Sequence, residues 1–308
     1  MAVLRPGGPA APQPSGPAPR RVLLVTRDEE LDSLLAGRRI AAHLTDLEPT
    51  AGDGPPPDVA LVCDDDAATR RLLDLGVPVV RLRSGHRTTA DPVVDGALHR
   101  VHRPGWLPGP WPATPGGARA TGMLAPVRTA RGRQRGGSLL LLSLWGVPAG
   151  EADAFTSGPL RELAAEAVRR TQRCEVVCDM RVESVRATLE GLDGVRVRRA
   201  ADTDVDALHA DAELLLAAPT LGAVALAQAR RAPLAFLPPL GDGQRDLADR
   251  VARVVPVPVA ADPDDPSLWS PGQPGAPDPW SALDGAADDL RGAQRVARTL
   301  RQLSLAPL

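Results

Sequence analysis

Val59-Ala60-Leu61-Val62-Cys63, then Asp64-Asp65-Asp66, and then Val77-Pro78-Val79-Val80-Arg81-Leu82 form the stretch on which the fold turns. The first run is apolar without alternation, which is how a strand buried on both faces of a parallel sheet reads. From Asp66 to Leu75 the period changes to that of a helix, with Asp66 placed to cap it and Gly76 to end it. The chain then returns as a second apolar strand, with Pro78 accommodated near its beginning. Strand, helix and strand in this order make a βαβ unit.

The same alternation extends in both directions. Upstream, Val22-Leu23-Leu24-Val25-Thr26 reads as a strand. Asp28, Glu29 and Glu30 follow where a helix N-terminus favours negative charge. Leu31, Leu34, Leu35, Ile40 and Leu44 then recur near helical spacing. Residues Met1 to Arg20, with Pro6, Pro9, Pro12, Pro14, Pro17 and Pro19, cannot bury enough apolar surface to offset ordering and are expected to be disordered. Downstream, Ser84 to Pro126 shows no sustained period and reads as a long loop region on the rim of the first domain. A basic linker with Arg128, Arg131, Arg133 and Arg135 leads to Ser138-Leu139-Leu140-Leu141-Leu142-Ser143, which opens a second series.

In that series strands are expected at 175–178, 195–197, 214–217 and 234–237, and helices at 159–170, 183–189, 204–210, 223–230 and 244–254. A Pro/Asp-rich loop and a closing helix from Ala286 to Leu303 complete the chain. The fold class is therefore α/β: two Rossmann-like, doubly wound domains facing a cleft. Their expected bounds are 21–127 and 138–259, joined by 128–137, with 260–308 crossing back to the first domain.

Composition narrows the function. The chain has 308 residues and a net charge of -2, which argues against a nucleic-acid coat or a polybasic membrane arm. Cys63, Cys174 and Cys178 form no CxxC pair or disulfide framework. The apolar stretch Leu214 to Ala227 is shorter than the ~18 residues of a membrane helix, and the N-terminus lacks a signal-peptide core. A reducing, cytoplasmic setting with at most peripheral membrane contact is expected. Every cationic side chain apart from His is Arg, and Tyr is absent, which reads as the codon bias of a GC-rich genome.

No GxGxxG, Walker or GxSxG motif occurs, so dinucleotide, P-loop and serine-elbow readings drop out. Asp64-Asp65-Asp66 lies where an Asp-x-Asp metal site would lie, but also reads as a helix start with acidic residues on its positive end. His99 and His102 lack a third ligand nearby, so no metal is expected, and no cofactor is. Ser84-Gly85-His86-Arg87-Thr88 follows a strand of the first domain, where open sheets place ligands; His86 is a candidate base and Arg87 an anion clamp, against the plainer reading of a solvated turn. Trp106 and Trp111 read as packing for the loop or as an acceptor-pocket wall, and His209 as a helix-surface residue. Ser143, Trp145 and Gly146 end a strand of the second domain in a loop whose amides could approach a diphosphate.

The order from Val195 to Val251 resembles the donor domain of GT-B glycosyltransferases, notably the transferase that adds N-acetylglucosamine to the peptidoglycan lipid precursor. The similar elements are Asp204-Val205, Ala212-Glu213, Gly222-Ala223 with Gln228, Pro233 and Pro238, and Gln244 with Ala248. Upstream, Ala120 to Arg128 is similar to the stretch that closes the first domain of that family. Leu141 to Pro148 and Asp288 to Leu308 resemble a small actinobacterial family labelled CGA synthase-related proteins, a label that names no reaction.

The resemblance implies a nucleoside diphosphate sugar donor and a small-molecule acceptor. It places the diphosphate on the helix start at Thr220, Gly222 and Ala223. It sets Gln228 on the ribose, Gln244 near the sugar, and Ala200 beside the base. The departures are as informative. Gln228 replaces a Glu, Ala225 a Thr and Leu247 an Asn, and Thr26-Arg27-Asp28-Glu29-Glu30 stands where the family has a Gly-rich loop with a His. Asp28, Glu29 or His86 would have to serve as base. Two main readings follow: a sugar transferase, and a non-catalytic binding or accessory protein, with a possible protein partner, that keeps the cleft. A hydrolase or epimerase on the same scaffold is a third.

Overall fold

The computed structural model describes residues 19–50, 54–90, 92, 94–112, 117–132, 134–269 and 278–305. The stretch expected to be disordered lies outside them up to residue 18, as does Arg133 of the linker.

Strands β1 (Arg21–Val25), β2 (Glu48–Thr50), β3 (Val59–Cys63), β4 (Val79–Arg83), β5 (Leu98–Val101) and β6 (Arg119–Ala120) form one parallel sheet in the order β2-β1-β3-β4-β5-β6. Val22 pairs with Val59 and Val62 with Arg81, so the apolar runs of β1 and β3 lie at its centre. Helices α1 (Leu31–Ala41) and α2 (Asp66–Asp74) connect these strands. The order is the flavodoxin-like one, whose switch point lies between β1 and β3.

The second sheet, also parallel, runs β11-β10-β7-β8-β9, built from β7 (Ser138–Leu142), β8 (Cys174–Cys178), β9 (Val195–Arg199), β10 (Leu214–Ala217) and β11 (Ala235–Phe236). Its helices are α3 (Ala149–Ser157), α4 (Pro159–Thr171), α5 (Val182–Thr188), α6 (Val205–Asp211), α7 (Leu221–Ala229) and α8 (Gly241–Ala252). Its order reverses between β7 and β10, the Rossmann switch point. Two doubly wound domains face each other through the carboxyl ends of their strands.

Several elements depart from the sequence expectations, each for a local reason. β2 contains Pro49, which an edge strand tolerates because an outward position needs no ladder N–H. β5 and β6 lie within the stretch expected to be loop; Leu98-His99-Arg100-Val101 has no apolar run to betray it. Asp65 rather than Asp66 caps α2, accepting from the Ala68 amide at 2.9 Å, while Asp66 pairs with Arg81. The closing helix, α9 (Gly292–Leu305), begins six residues later than its pattern suggested. The Asp288 carboxylate is instead used in the loop, accepting from the amides of Gly105, Met123 and Leu290.

His209 is buried, not on a helix surface: Arg230 Nη1 donates to its Nδ1 at 2.9 Å. Burial, with that cation beside it, pushes its pKa down to about 3, so the ring is neutral. The basic linker is likewise tied down, Arg131 donating to the Ala212 carbonyl and Arg230 to the Arg128 carbonyl.

The domains share an apolar seam. Leu31, Leu34 and Leu35 of α1 join Ala223, Val224 and Ala227 of α7 in one core cluster. Arg39 of α1, 2% exposed, crosses the seam: it holds Asp206 with two bonds, at 2.7 and 3.1 Å, and donates to the carbonyls of Leu124 and Gly222. Arg38 reaches the carbonyls of Ala200, Ala201 and Thr203. α9 packs into the core of the first domain, with Val296, Ala297 and Leu300 among Val22, Leu61 and Ile40.

Candidate functional site

The loops that follow β1, β4, β7, β10 and β11 converge on a cavity of about 260 Å³ between the domains. All five leave the carboxyl ends of parallel strands, where open α/β sheets hold their ligands. Its walls carry Glu30 from the first loop with Asp32 from the α1 turn that follows it, Gly85 to Thr89 from the second, and Ser143, Trp145 and Gly146 from the third. Thr220 and Gln244 complete it from the second domain.

Carboxyl groups dominate this region. Glu30 ends the β1–α1 turn with its side chain buried; Oε1 lies 3.6 Å from Arg87 Nη2, and Oε2 has no hydrogen-bond partner among the described residues. Burial first, and the charge of Asp64 second, push its pKa up to about 8. Asp32, on the first turn of α1, is pushed up to about 7 by burial, against the pull of two amides that donate to it. Asp64 is buried behind them, held by the Ser84 amide and hydroxyl, and is raised by burial against the pull of Arg87. Asp179 answers from the other domain: it accepts from Ser143 Oγ at 2.6 Å, from the Leu144 amide at 2.8 Å, and from Leu31 N across the seam.

The amides that pull on Asp32 belong to α7. Leu221 N donates to Oδ2 at 3.2 Å and Gly222 N to Oδ1 at 2.7 Å, while Thr220 Oγ1 accepts from Ala223 N. The whole first turn of α7 is thus satisfied from within the protein. A Cβ on Gly222 would lie 2.7 Å from Leu35 Cδ1 and 2.8 Å from Asp32 Oδ1, so the helix start is closed by side chains of α1. These amides, expected to face a ligand, are met within the chain: the Asp32 carboxylate takes those of Leu221 and Gly222, as any anion would at a helix N-terminus, and the Thr220 hydroxyl takes that of Ala223.

The remaining expected residues divide in two. His86, Ser143, Trp145, Gly146, Thr220 and Gln244 line the cavity. Gln244 braces it, accepting from the Leu240 amide and donating to the Ser143 carbonyl. The His86 ring lies 2.6 Å from Asp246 of α8 and edge-on to Trp111; Asp246 is held in turn by Arg250. Burial lowers the pKa of His86, with Asp246 opposing, while Arg250 and His86 hold Asp246 below its ordinary value despite burial.

Asp28 and Glu29, by contrast, are exposed on the turn and do not line the cavity. Ala200 is buried under Arg38. Gln228 sits in the seam, its Oε1 accepting from the Trp106 indole N–H at 3.0 Å, so it is committed to packing rather than to a ribose. Trp106 in turn meets Trp280 edge-on.

Glu30 and Asp32 were not singled out from sequence. A carboxylate at position 32 interrupting the apolar face of Leu31, Leu34 and Leu35 was the available signal. Among the described residues no group of three or more His, Cys, Asp or Glu side chains could hold a metal ion, and His102 is spent on Ser84 and Leu124.

Comparison with known proteins supports this architecture. The glycotransferase of kitacinnamycin is similar with a TM-score of 0.54 at 14% identity, over 93% of this chain and 100% of that one. The spinosyn rhamnosyltransferase SpnG complexed with spinosyn aglycone is similar with a TM-score of 0.47 at 17% identity, over 92% and 96%. MurG of Acinetobacter baumannii is similar with a TM-score of 0.44 at 11% identity, over 92% and 100%. A search of curated proteins returned no match. The fold is GT-B-like. A family description covers nearly the whole chain, from residue 22 to residue 308: the protein belongs to the CGA synthase-related protein family.

Proposed function

We propose that this chain is a GT-B-type binding protein of small-molecule metabolism that has given up sugar transfer and uses its inter-domain cavity to hold a small polar ligand. One observation carries the reading: the Asp32 carboxylate occupies the α7 amides on which a donor diphosphate would rest. A diphosphate would have to displace it and then sit beside Glu30 and Asp64, where burial already disfavours negative charge. Arg87, the arginine lining the cavity, is already shared between those two carboxylates. Size agrees, since about 260 Å³ lies below the ~300–1,000 Å³ of common ligand pockets.

Buried thiols at Cys63, Cys174 and Cys178 support a reducing, cytoplasmic setting, and an accessory role would add a protein partner. A thermal-shift series with UDP, dTDP and GDP tests the reading. A nucleotide at 100 times its Kd would add about 2.7 kcal/mol of stability, so the expected result is an unmoved transition with all three. A shift with any of them overturns it.

A second reading is transfer of a sugar from a nucleoside diphosphate sugar to a small-molecule acceptor, with no metal or other cofactor, and the His86–Asp246 pair favours it. An imidazole oriented by a carboxylate beside a cleft is the arrangement of an activated general base. In that case Asp32 must leave α7 when donor binds, and His86→Ala must abolish turnover. Nucleotide stabilisation decides between the two.

A further inference from the structure

We propose that the inter-domain cavity takes the ammonium group of a small hydroxylated amine, an amino sugar in chemical class, held between Glu30 and Asp32 above Gly85. The inference rests on the reading of this cavity as a ligand site and specifies what it selects.

Three observations point there. First, a Cβ on Gly85 would lie 3.2 Å from Glu30 Oε1 and 3.3 Å from Asp32 Oδ2. Two carboxylate oxygens thus stand together over the bare backbone of Gly85 in the cavity wall. Second, Glu30 is 5% exposed, and its Oε2 accepts nothing from the described residues. An unmade bond on a buried acceptor costs about 1–3 kcal/mol, and more when the group is charged. An ammonium carries three donors and no acceptor, which matches Glu30 Oε1 and Oε2 with the spare lone pair of Asp32 Oδ2. Third, Arg87 stands 3.6 Å from Glu30, beyond hydrogen-bond distance, with its side chain 37% exposed at the rim. Arg87 therefore leaves Glu30 Oε2 unmet.

The other walls suit hydroxyl groups. Thr88 and Thr89 line the cavity, and so does Trp145, whose ring also carries Arg27 over it at 5.3 Å. A divalent cation fits less well, since no metal-holding group of three His, Cys, Asp or Glu occurs among the described residues.

Binding is coupled to protons. The groups facing Glu30 are Arg27 and Asp32 on its own segment, Asp64 from the end of β3 and Arg87 from the loop after β4. Burial, with Asp64 and Asp32, keeps its carboxyl largely protonated near neutrality against the pull of Arg87 and Arg27, so a bound ammonium must displace that proton.

The test is calorimetry on the full chain with glucosamine and galactosamine against glucose and galactose. Each amino sugar is expected to bind at least about tenfold more tightly than its neutral counterpart, which corresponds to about 1.4 kcal/mol. The heat should vary with the ionisation enthalpy of the buffer, reporting proton release. Glu30→Gln, nearly isosteric, should erase the preference. Gly85→Ala sets a methyl group between the two carboxylates and should abolish binding of the amines, with an unchanged melting profile confirming the fold. The proposal is overturned if amino and neutral sugars bind equally, if neither binds, if the preference survives Glu30→Gln, or if magnesium or manganese stabilises the protein and the amines do not. A nucleotide shift in the thermal series would overturn the non-transferring role without touching this comparison.

Discussion

Asp32→Asn separates the two opposed contributions of the group that closes α7. Wild-type Oδ1 and Oδ2 each accept one amide, at 2.7 and 3.2 Å. In the variant the amide oxygen keeps Gly222 N, while the new NH₂ group faces Leu221 N, donor against donor. Leaving that buried N–H unpaired costs about 1–3 kcal/mol at any pH. Against this, the wild-type carboxyl titrates and the asparagine does not. Its folded pKa is raised to about 7 from 3.8. A raised carboxyl binds its proton more tightly folded than unfolded, so its stabilising effect is complete below pH 3.8 and is lost progressively as pH climbs towards 7. Each pH unit in that window is worth about 1.4 kcal/mol, so from pH ~5 to ~8 wild type should lose about 3 kcal/mol relative to the variant. Urea unfolding of both proteins across this range should show Asp32→Asn the weaker at acid pH and level with or above wild type at alkaline pH. A difference that stays constant with pH would refute both the buried position of Asp32 and its role as the anion on α7.

Three further perturbations address the seam and the closing helix. Arg39→Met removes the guanidinium that joins α1 to Asp206; breaking a buried pair costs about 3–5 kcal/mol, and the low end applies because Asp206 is 24% exposed. Urea unfolding reads this, and a cost below ~1 kcal/mol, the value of a surface pair, would show that Arg39 does not couple the domains. Leu300→Ala empties a fully buried position of α9 and should cost about 2–5 kcal/mol in the same assay; a near-neutral result would mean that α9 does not brace the first domain. Trp106→Phe leaves Gln228 Oε1 without its donor and should cost about 1–3 kcal/mol, read as a lowered melting temperature. An unmoved transition would free Gln228 for a ligand.

The central strands and the loops after them were legible because both depend on local signals, whereas β2, β5 and β6, with no apolar run, were not. β3 and β10 are unbroken apolar runs, and a parallel strand buried on both faces has no other way to be written. Once such strands are placed, the loops after them bear the ligand site, which is how His86, Ser143 and Trp145 came to be singled out, whereas Thr220 and Gln244 came from the family resemblance. The identity of the inward carboxylates was not legible. In the acidic string 28–30 the turn exposes Asp28 and Glu29 and buries Glu30, and that phase depends on the Arg27–Glu30 turn closing before α1 begins.

By itself the sequence determined two parallel α/β units and the edge on which they carry a site, since strand burial and helix period are properties of neighbouring residues. Only the tertiary structure decided what stands at that site. Asp32 lies 189 residues from Leu221 and 190 from Gly222, so nothing local to α7 records that its amides are already answered. Gln228 and Ala200 left the candidate site for the same reason: α1 and the Trp106 loop dock across the seam and use the polar groups a ligand would need. A buried polar group takes a partner where one is available, and which partner arrives first is settled by the packing of the two domains.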